Sequence, residues 1–400
     1  MVTSVGVVTE PHGTEMVTGG RAPRTDHANA DLAGDEVAED GRAVPVESPE
    51  TSGRESDRVD EMIRPELDLA IESLDGQDPT LSGMVRYHLG LVDARFAPLG
   101  TEAVTRAQGK RLRPRVALLC CRAVGGDPAV AAPLAAALEL LHNFTLIHDD
   151  IQDQSAHRRH RPTVWAIWGA AQAINAGDAL FAAAHLPLFR LPTAGVSLDL
   201  TLRLVEAFDR MTIEIVRGQV LDLSFEGGAA VSPDDYLAMI DGKTAAIVRY
   251  AAWAGALLGG ADEGTADRLA TFGQALGVGF QIRDDLLGIW GSPAETGKPA
   301  ADDLRRRKQS LPVVLLRTGD DPIARDEVTR WYAGDHIDEA GVGRVLSLLE
   351  AAGVRAETEA HIAQLHDRAR SALLAALPDG LSPARDVLMA YTDTLANRVD

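Results

Sequence analysis

From Ala129 to Ile147 the chain is an almost unbroken apolar run, and it ends abruptly in His148-Asp149-Asp150-Ile151-Gln152-Asp153. A run of that length is either a membrane-spanning helix or a helix buried in a protein core. Pro133, Glu139, His142 and Asn143 interrupt it, so it reads as a buried helix and no membrane span is expected. A helix that is apolar all round has to be enclosed by other elements. Hydrophobic residues make up 46% of the chain and aromatics only 4%, with alanine and leucine dominating. Those are helix formers, and the chain is poor in the residues that strands prefer.

Helical stretches are read over 115–123, 129–150, 170–185, 198–221, 233–258 and 266–288, with more towards the C-terminus. Earlier, Val59, Met62, Ile63, Leu67 and Leu69-Ala70 fall near one stripe, as do Met84, Tyr87, Leu91 and Val92. Strand alternation is scarce and no solenoid-length repeat is present. Through Asp60 there are 13 Asp/Glu against 5 Arg/Lys and no sustained apolar period. The expectation is a disordered acidic extension over residues 1–58, then one all-α domain over 59–400.

No basic segment followed by an apolar run opens the chain, so no signal peptide is expected. Cys120 and Cys121 are neighbours, a poor disulfide pair, and fit a reducing compartment. The cytoplasm is the expected location. The net charge of −20 argues against nucleic acid or an anionic membrane as the main partner.

On a helix Asp149 and Asp153 share a face, and their repulsion calls for a cation. Hard oxygen ligands beside phosphate describe magnesium. Arg158-Arg159-His160-Arg161 follows within two turns, and arginine forks match phosphate oxygens. A solvated acidic helix end, or salt bridges between the two clusters, would account for the same residues. The grammar then repeats. Phe280-Gln281-Ile282-Arg283-Asp284-Asp285 closes a second apolar helix, followed by Gly297-Lys298-Pro299, Asp302-Asp303 and Arg305-Arg306-Arg307-Lys308. Two such segments facing each other could hold metal ions bridged by a diphosphate. Only four of 39 basic residues are lysine: Lys110, Lys243, Lys298 and Lys308. Lys298 and Lys308 flank the second aspartate pair, while Lys110 lies in Gly109-Lys110-Arg111-Leu112-Arg113-Pro114 and Lys243 in Lys243-Thr244.

With Gly109-Lys110-Arg111-Leu112-Arg113-Pro114, Gly177-Asp178, Gly218-Gln219 and Lys243-Thr244 added, in this order, the chain resembles the trans-isoprenyl diphosphate synthase (polyprenyl synthetase) family from about Met84 onward. The resemblance implies a single large helical bundle of the isoprenoid synthase type, working as a homodimer with magnesium, three ions with bound diphosphate. It implies that Lys110, Arg113, His142 and Arg159 bind isopentenyl diphosphate, with Arg111 assisting. Asp149, Asp153 and Asp284 would ligate magnesium, supported by Asp150 and Asp285. Arg158, Lys243 and Lys298 would hold an allylic diphosphate, Thr244 and Gln281 would face the developing carbocation, and Lys308 would close a loop over the site. Phe144, five residues before Asp149, would cap the chain tunnel and suit a C20 product; it could equally be ordinary core.

One place departs from the pattern. The usual third aspartate of the second motif is Gly288 here, which puts metal affinity in doubt. It also opens two alternatives: a terpene cyclase that closes the prenyl chain on itself, and a non-catalytic subunit modulating another synthase. The residues of the isopentenyl diphosphate pocket count against the first, and the intact first motif against the second.

Overall fold

The computed structural model describes residues 49–396 apart from 108, 110, 226–230, 293–298, 335 and 379–382. Residues 1–48 of the expected extension, and Lys110 and Lys298, therefore lie outside the described residues. Among the described residues the architecture is helical. In order the elements are α1 (Pro49–Glu72), α2 (Thr80–His88), α3 (Thr101–Ala107), α4 (Leu112–Ala123), α5 (Ala132–Gln152), the hairpin β1 (His157–Arg158) and β2 (Arg161–Pro162), α6 (Val164–Trp168), α7 (Ala170–Ala183), α8 (His185–Leu188) and α9 (Leu198–Ser224). Then come α10 (Pro233–Ile240), a π-helical turn (Asp241–Ala245), α11 (Ala246–Leu258), α12 (Glu263–Trp290), α13 (Asp302–Arg305), α14 (Leu311–Thr318), α15 (Pro322–Ala333), α16 (Glu339–Ala351), α17 (Val354–Ala376) and α18 (Pro383–Ala396). Helical backbone starts ahead of Val59, where the apolar pattern starts. Among the described side chains Val59 is the first that is buried.

Helix α5 is the central element. Every residue from 131 to 141 is buried, enclosed by α1, α4, α7 and α11. Its alanines let those neighbours come close, while Leu134, Leu138, Leu140 and Leu141 are fully buried. Truncating one of these leucines to alanine would cost about 2–5 kcal/mol. The run from Pro128 is long and apolar enough to cross a membrane, but 78% of its most apolar window is buried inside the fold. From His142 onward the helix alternates buried and half-buried positions, and this end walls a cavity.

Helix α12 joins two cores. Leu269, Phe272 and Leu276 belong to the core around α5. Ile282, Leu286 and Ile289 belong to a second core built with α10 and α14–α17. The aspartate pair of α12 thus sits where the second core begins, opposite the end of α5.

Two local features depart from simple expectation. The stretch 233–258 is interrupted by the π-helical turn, which bulges one residue outward where Lys243 and Thr244 sit. The bulge packs on α9 at Gly218, where any Cβ would lie 2.2 Å from the Lys243 backbone nitrogen. The basic run after α5 is a β-hairpin with His157 opposite Pro162 and Arg158 opposite Arg161. Its two turn residues, Arg159 and His160, both have positive φ, 49° and 60°. A two-residue type I′ turn requires this, and it normally selects glycine or asparagine. Arginine and histidine there store strain of about 1–3 kcal/mol each. The hairpin is pinned from outside: Arg161 donates to the Tyr87 and Val92 carbonyls at 3.0 and 2.7 Å, and Tyr87 donates to the Pro162 carbonyl at 2.7 Å.

Candidate active site

A cavity of about 710 Å³ opens between α5, α9, the π-helical turn and α12. Its walls carry Arg111, Arg113, His142, Phe144, Asp149, Arg158, Arg159, Lys243, Thr244, Gln281 and Asp284. An adjoining cavity of about 630 Å³ carries Asp153, Asp222, Asp285, Asp303 and Lys308. Lys243, Thr244 and Gln281 line both. All the described residues singled out from the sequence converge here except Asp150, which is turned away.

At one end the cations crowd. Arg113 is half-buried, and its buried Nε has no hydrogen-bond partner. Burial pulls its pKa down to about 10, with Arg159 adding to the drop and Glu139 and Asp284 opposing it. Burial likewise pulls Arg159 down. The His142 imidazole is held well below its ordinary value by burial and by Arg113 and Arg159, so it is neutral near pH 7. Such a cluster is short of negative charge, and a diphosphate would relieve it. Arg111 is different. Its Nε donates to Asp60 Oδ1 at 2.9 Å and its Nη1 reaches Glu139 Oε1 at 2.5 Å, so it is a tie between α1 and α5. Glu139 is 3% exposed. Burial alone would raise its pKa, but Arg111 and Asn143 bring it below its ordinary value.

At the other end the carboxylates collect. Burial raises the pKa of Asp149, helped by Asp153 and Asp222 and opposed by Lys243. Lys243 Nζ is 2.5 Å from Asp222 Oδ2. Although burial opposes its charge, Asp149 and Asp222 hold its pKa above the ordinary value. Asp153, one turn on from Asp149, caps α5 and is exposed. Thr244 Oγ1 donates to Gln281 Oε1 at 2.9 Å, so these two oxygens form one polar spot between the ends of the site.

Asp150 and Asp285 do not face the first cavity. Asp150 Oδ1 accepts from both Nε and Nη2 of Arg158 at 2.9 Å, which aims Arg158 towards Asp149. Its Oδ2 is buried without a partner, and burial pushes its pKa up to about 6. Asp285 is fully buried and accepts from Lys308 Nζ at 2.9 Å, the Leu311 amide at 3.1 Å, Gln281 Nε2 at 3.1 Å and the Tyr236 hydroxyl. Both position a neighbouring cation here: Asp150 orients Arg158 and Asp285 anchors Lys308. Lys308 is correspondingly bound onto Asp285 and Asp303 in the wall of the second cavity.

Among the described residues no three His, Cys, Asp or Glu side chains are gathered as a ready-made metal site. Lysine ammoniums stand between the carboxylates instead. The donor set nonetheless fits a hard cation: Asp149 and Asp153 from α5 and Asp284 from α12 offer only carboxylate oxygens.

Sequence reasoning passed over Asp222, Tyr236 and the role of Glu139. Asp222 stands one turn beyond Gly218, so the close approach of α9 and the π-helical turn brings it to Lys243. Glu139 did carry a signal: a lone carboxylate inside an apolar helix has to be paired.

The family model for polyprenyl synthetase matches residues 100–349. The chain is 39% identical over 330 residues to the (2E,6E)-farnesyl diphosphate synthase of Mycobacterium tuberculosis, covering 78% of this chain and 88% of that one. It is also 39% identical over 318 residues to a geranylgeranyl diphosphate synthase of the same organism, covering 79% and 86%. The crystal structure of a polyprenyl synthetase from Streptomyces coelicolor A3(2) superposes with a TM-score of 0.76 at 36% identity, covering 85% of this chain and 98% of that one.

Proposed function

The chain belongs to the polyprenyl synthetase family and is a chain-elongating prenyltransferase; on that premise we propose that it condenses isopentenyl diphosphate with an allylic diphosphate, in a magnesium-dependent reaction, to give an all-trans C20 prenyl diphosphate. The observation that carries this reading is the division of one cavity into an arginine end, at Arg113, Arg159 and neutral His142, and a carboxylate end at Asp149, with Asp284 also on its wall. A cyclase has no use for the first end. A second diphosphate does.

In this reading Arg113, Arg159 and neutral His142 bind isopentenyl diphosphate, with Lys110 from the adjoining residues outside the described set. Arg158, aimed by Asp150, and Lys243, aimed by Asp222, bind the allylic diphosphate together with Lys298. Magnesium held by Asp149, Asp153 and Asp284 would supply the positive charge that stabilises the departing diphosphate. As the allylic carbon–oxygen bond breaks, the Thr244–Gln281 oxygens face the developing positive charge. The double bond of isopentenyl diphosphate then forms the new carbon–carbon bond. A proton leaves the adduct for the released diphosphate, so no protein base is required. Leu112, Ile215, Val216, Leu223 and Phe280 line the same cavity and keep water from the cation.

The C20 length rests on Phe144. Its ring lines the cavity, with His148 packed on it at 4.8 Å between centroids and Phe181 at 5.3 Å, which supports reading it as the floor of the chain tunnel. The proposed working form is a homodimer joined through α9. Leu198, Leu202, Ile213, Val216 and Val220 are 49–67% exposed and fall within about 60° of one another around the helix.

The test is incubation with magnesium, isopentenyl diphosphate and each allylic diphosphate in turn, with products identified by mass spectrometry. A linear C20 diphosphate is expected. A C15 or longer-than-C20 product would overturn the Phe144 floor, and a hydrocarbon formed without isopentenyl diphosphate would overturn the elongation reading.

A further inference from the structure

Gly288 stands where a third carboxylate is missing from the second motif, and the structure shows what fills that space. A Cβ at residue 288 would lie 2.2 Å from Asp303 Oδ2, 2.5 Å from its Cγ and 3.1 Å from Oδ1. No side chain fits there while Asp303 keeps its place: the atoms it would meet are the carboxylate end of the Asp303 side chain, so that carboxylate would have to swing out of its seat. Asp303 is 7% exposed and arrives on α13, whose N-terminal cap, Ala301, has a left-handed φ of 57°. That conformation is costly for alanine, and it starts the helix that carries Asp303 to α12.

The same carboxylate reaches the functional lysine. Asp303 Oδ2 is 3.8 Å from Lys308 Nζ, and the Asp303 carbonyl accepts from the Lys308 amide at 2.9 Å. Lys308 Nζ in turn is 2.9 Å from Asp285 Oδ1. One ammonium is thus shared between a carboxylate of α12 and one delivered by α13. The far side of the segment is tied as well: Arg306 Nη2 donates to Ser155 Oγ at 2.7 Å, in the turn just after Asp153. The segment 302–308 therefore spans the second cavity, touching α12 at one end and the first aspartate cluster's turn at the other.

We propose that Gly288 and Asp303 are a matched pair: Gly288 is the seat for the Asp303 carboxylate, and Asp303 is the positioning residue that sets Lys308 and the 302–308 segment over the second cavity. The carboxylate that α12 lacks at 288 is delivered to the same place from another element, so the departure from the pattern is a relocation and not a loss. The inference rests on the prenyltransferase reading for its kinetic arm, because the segment it positions borders the carboxylate end of the site. It predicts a reciprocal dependence that neither residue would show as ordinary core. A side chain at 288 should harm the protein only because Asp303 is there, and Asp303 should matter less once a carboxylate is supplied from 288.

The experiment compares Gly288→Asp, Asp303→Asn, Asp303→Ala and the double variant Gly288→Asp/Asp303→Ala. The kinetic readout is KM for each substrate against kcat. The second readout is hydrogen exchange of the Lys308 amide in the substrate-free protein, which needs no turnover. Each single variant is expected to raise KM for the allylic diphosphate by about 10–100-fold, the scale for losing a residue that orients a ligand-binding group, with KM for isopentenyl diphosphate unchanged. Each should also speed exchange at Lys308 while the buried amides of α5 stay protected. The double variant is expected to recover at least about 10-fold over either of its parents. Additive losses in the double variant, or Asp303→Asn with wild-type KM and wild-type exchange, would overturn the pairing. If the wild-type chain elongates no allylic diphosphate, the prenyltransferase reading fails, while the exchange measurement still decides whether 288 and 303 form a pair.

Discussion

The two aspartates two turns before the end of α12 are adjacent in sequence, yet the structure gives them opposite work, and this can be separated by Asp285→Asn and Asp284→Asn. Asp285 is fully buried and receives four donors, one of them the Lys308 ammonium. Asparagine keeps the shape but replaces one accepting oxygen with an NH2 group that points at a donor. It also removes the negative half of an ion pair whose carboxylate is buried but whose ammonium is 40% exposed. Solvent and Asp303 compensate part of the lost charge, so the cost is about 2–3 kcal/mol. A folded unit of about 350 residues gains roughly 0.7 kcal/mol/K of entropy on unfolding, so the midpoint should fall by ~3–4 °C. Asp284 lines the same cavity as Asp149. Its replacement by asparagine should move the midpoint by no more than about 1 °C while removing turnover. The assay is thermal unfolding of metal-free protein followed by circular dichroism, alongside steady-state turnover of the same samples. Asp285→Asn melting with wild type, or Asp284→Asn losing as much stability as Asp285→Asn, would refute the division into hub and ligand.

Three further outcomes follow from the same geometry. Because burial and like charge raise the pKa of Asp149, its ionised form weighs against the fold, so Asp149→Asn should unfold no earlier than wild type while losing turnover; a lower midpoint would contradict this. Phe144→Ala should lengthen the product, Phe181→Ala alone should not, and the double variant should lengthen it further, since Phe181 lies beneath Phe144 at 5.3 Å; mass spectrometry showing a longer product from Phe181→Ala alone would refute the order of the layers. Burial and the neighbouring arginines lower His88 to about 3, and His142 is also held well below its ordinary value. The native state therefore binds fewer protons than the unfolded chain between about pH 6.5 and 3, so stability is intact above that window and is lost on acidification through it. Each group contributes a slope of about 1.4 kcal/mol per pH unit. Urea midpoints measured between pH 6.5 and 4 should show this slope reduced in His88→Gln, and an unchanged slope would contradict it.

Much of the fold was legible because α5 is written in a plain code, a long run of alanine and leucine closed by aspartates, while α12 carries its aspartate pair inside an apolar helix that runs on to Trp290. The buried character of α5 was readable from Pro133, Glu139, His142 and Asn143, which suit a packed helix better than a lipid-facing one. What was not legible depends on backbone geometry that residue type does not announce. The hairpin carrying Arg158 and Arg159 has none of the asparagine or glycine that marks a type I′ turn, because its strained turn is held from outside by Tyr87 and Val92. The π-helical turn at Lys243 breaks a stretch whose apolar period reads as one helix. The supporting part of Asp150 and Asp285 could be read only in outline, because an aspartate next to a ligand looks the same in sequence; burial and the donors around them pair Asp150 with Arg158 and Asp285 with Lys308. Gly288 read as a gap because its filler, Asp303, comes from a different helix.

The central claim is that one cavity holds two diphosphates by different means, arginines at one end and carboxylates with magnesium at the other. Isothermal titration with isopentenyl diphosphate and with a non-ionisable thio analogue of an allylic diphosphate, each with magnesium and with chelator, tests it directly. The account predicts that isopentenyl diphosphate binds with or without magnesium and is lost in Arg113→Met, while the analogue binds only with magnesium and is lost in Asp149→Asn. Competition of the two ligands for one site, or an analogue that binds equally well in chelator, would contradict it.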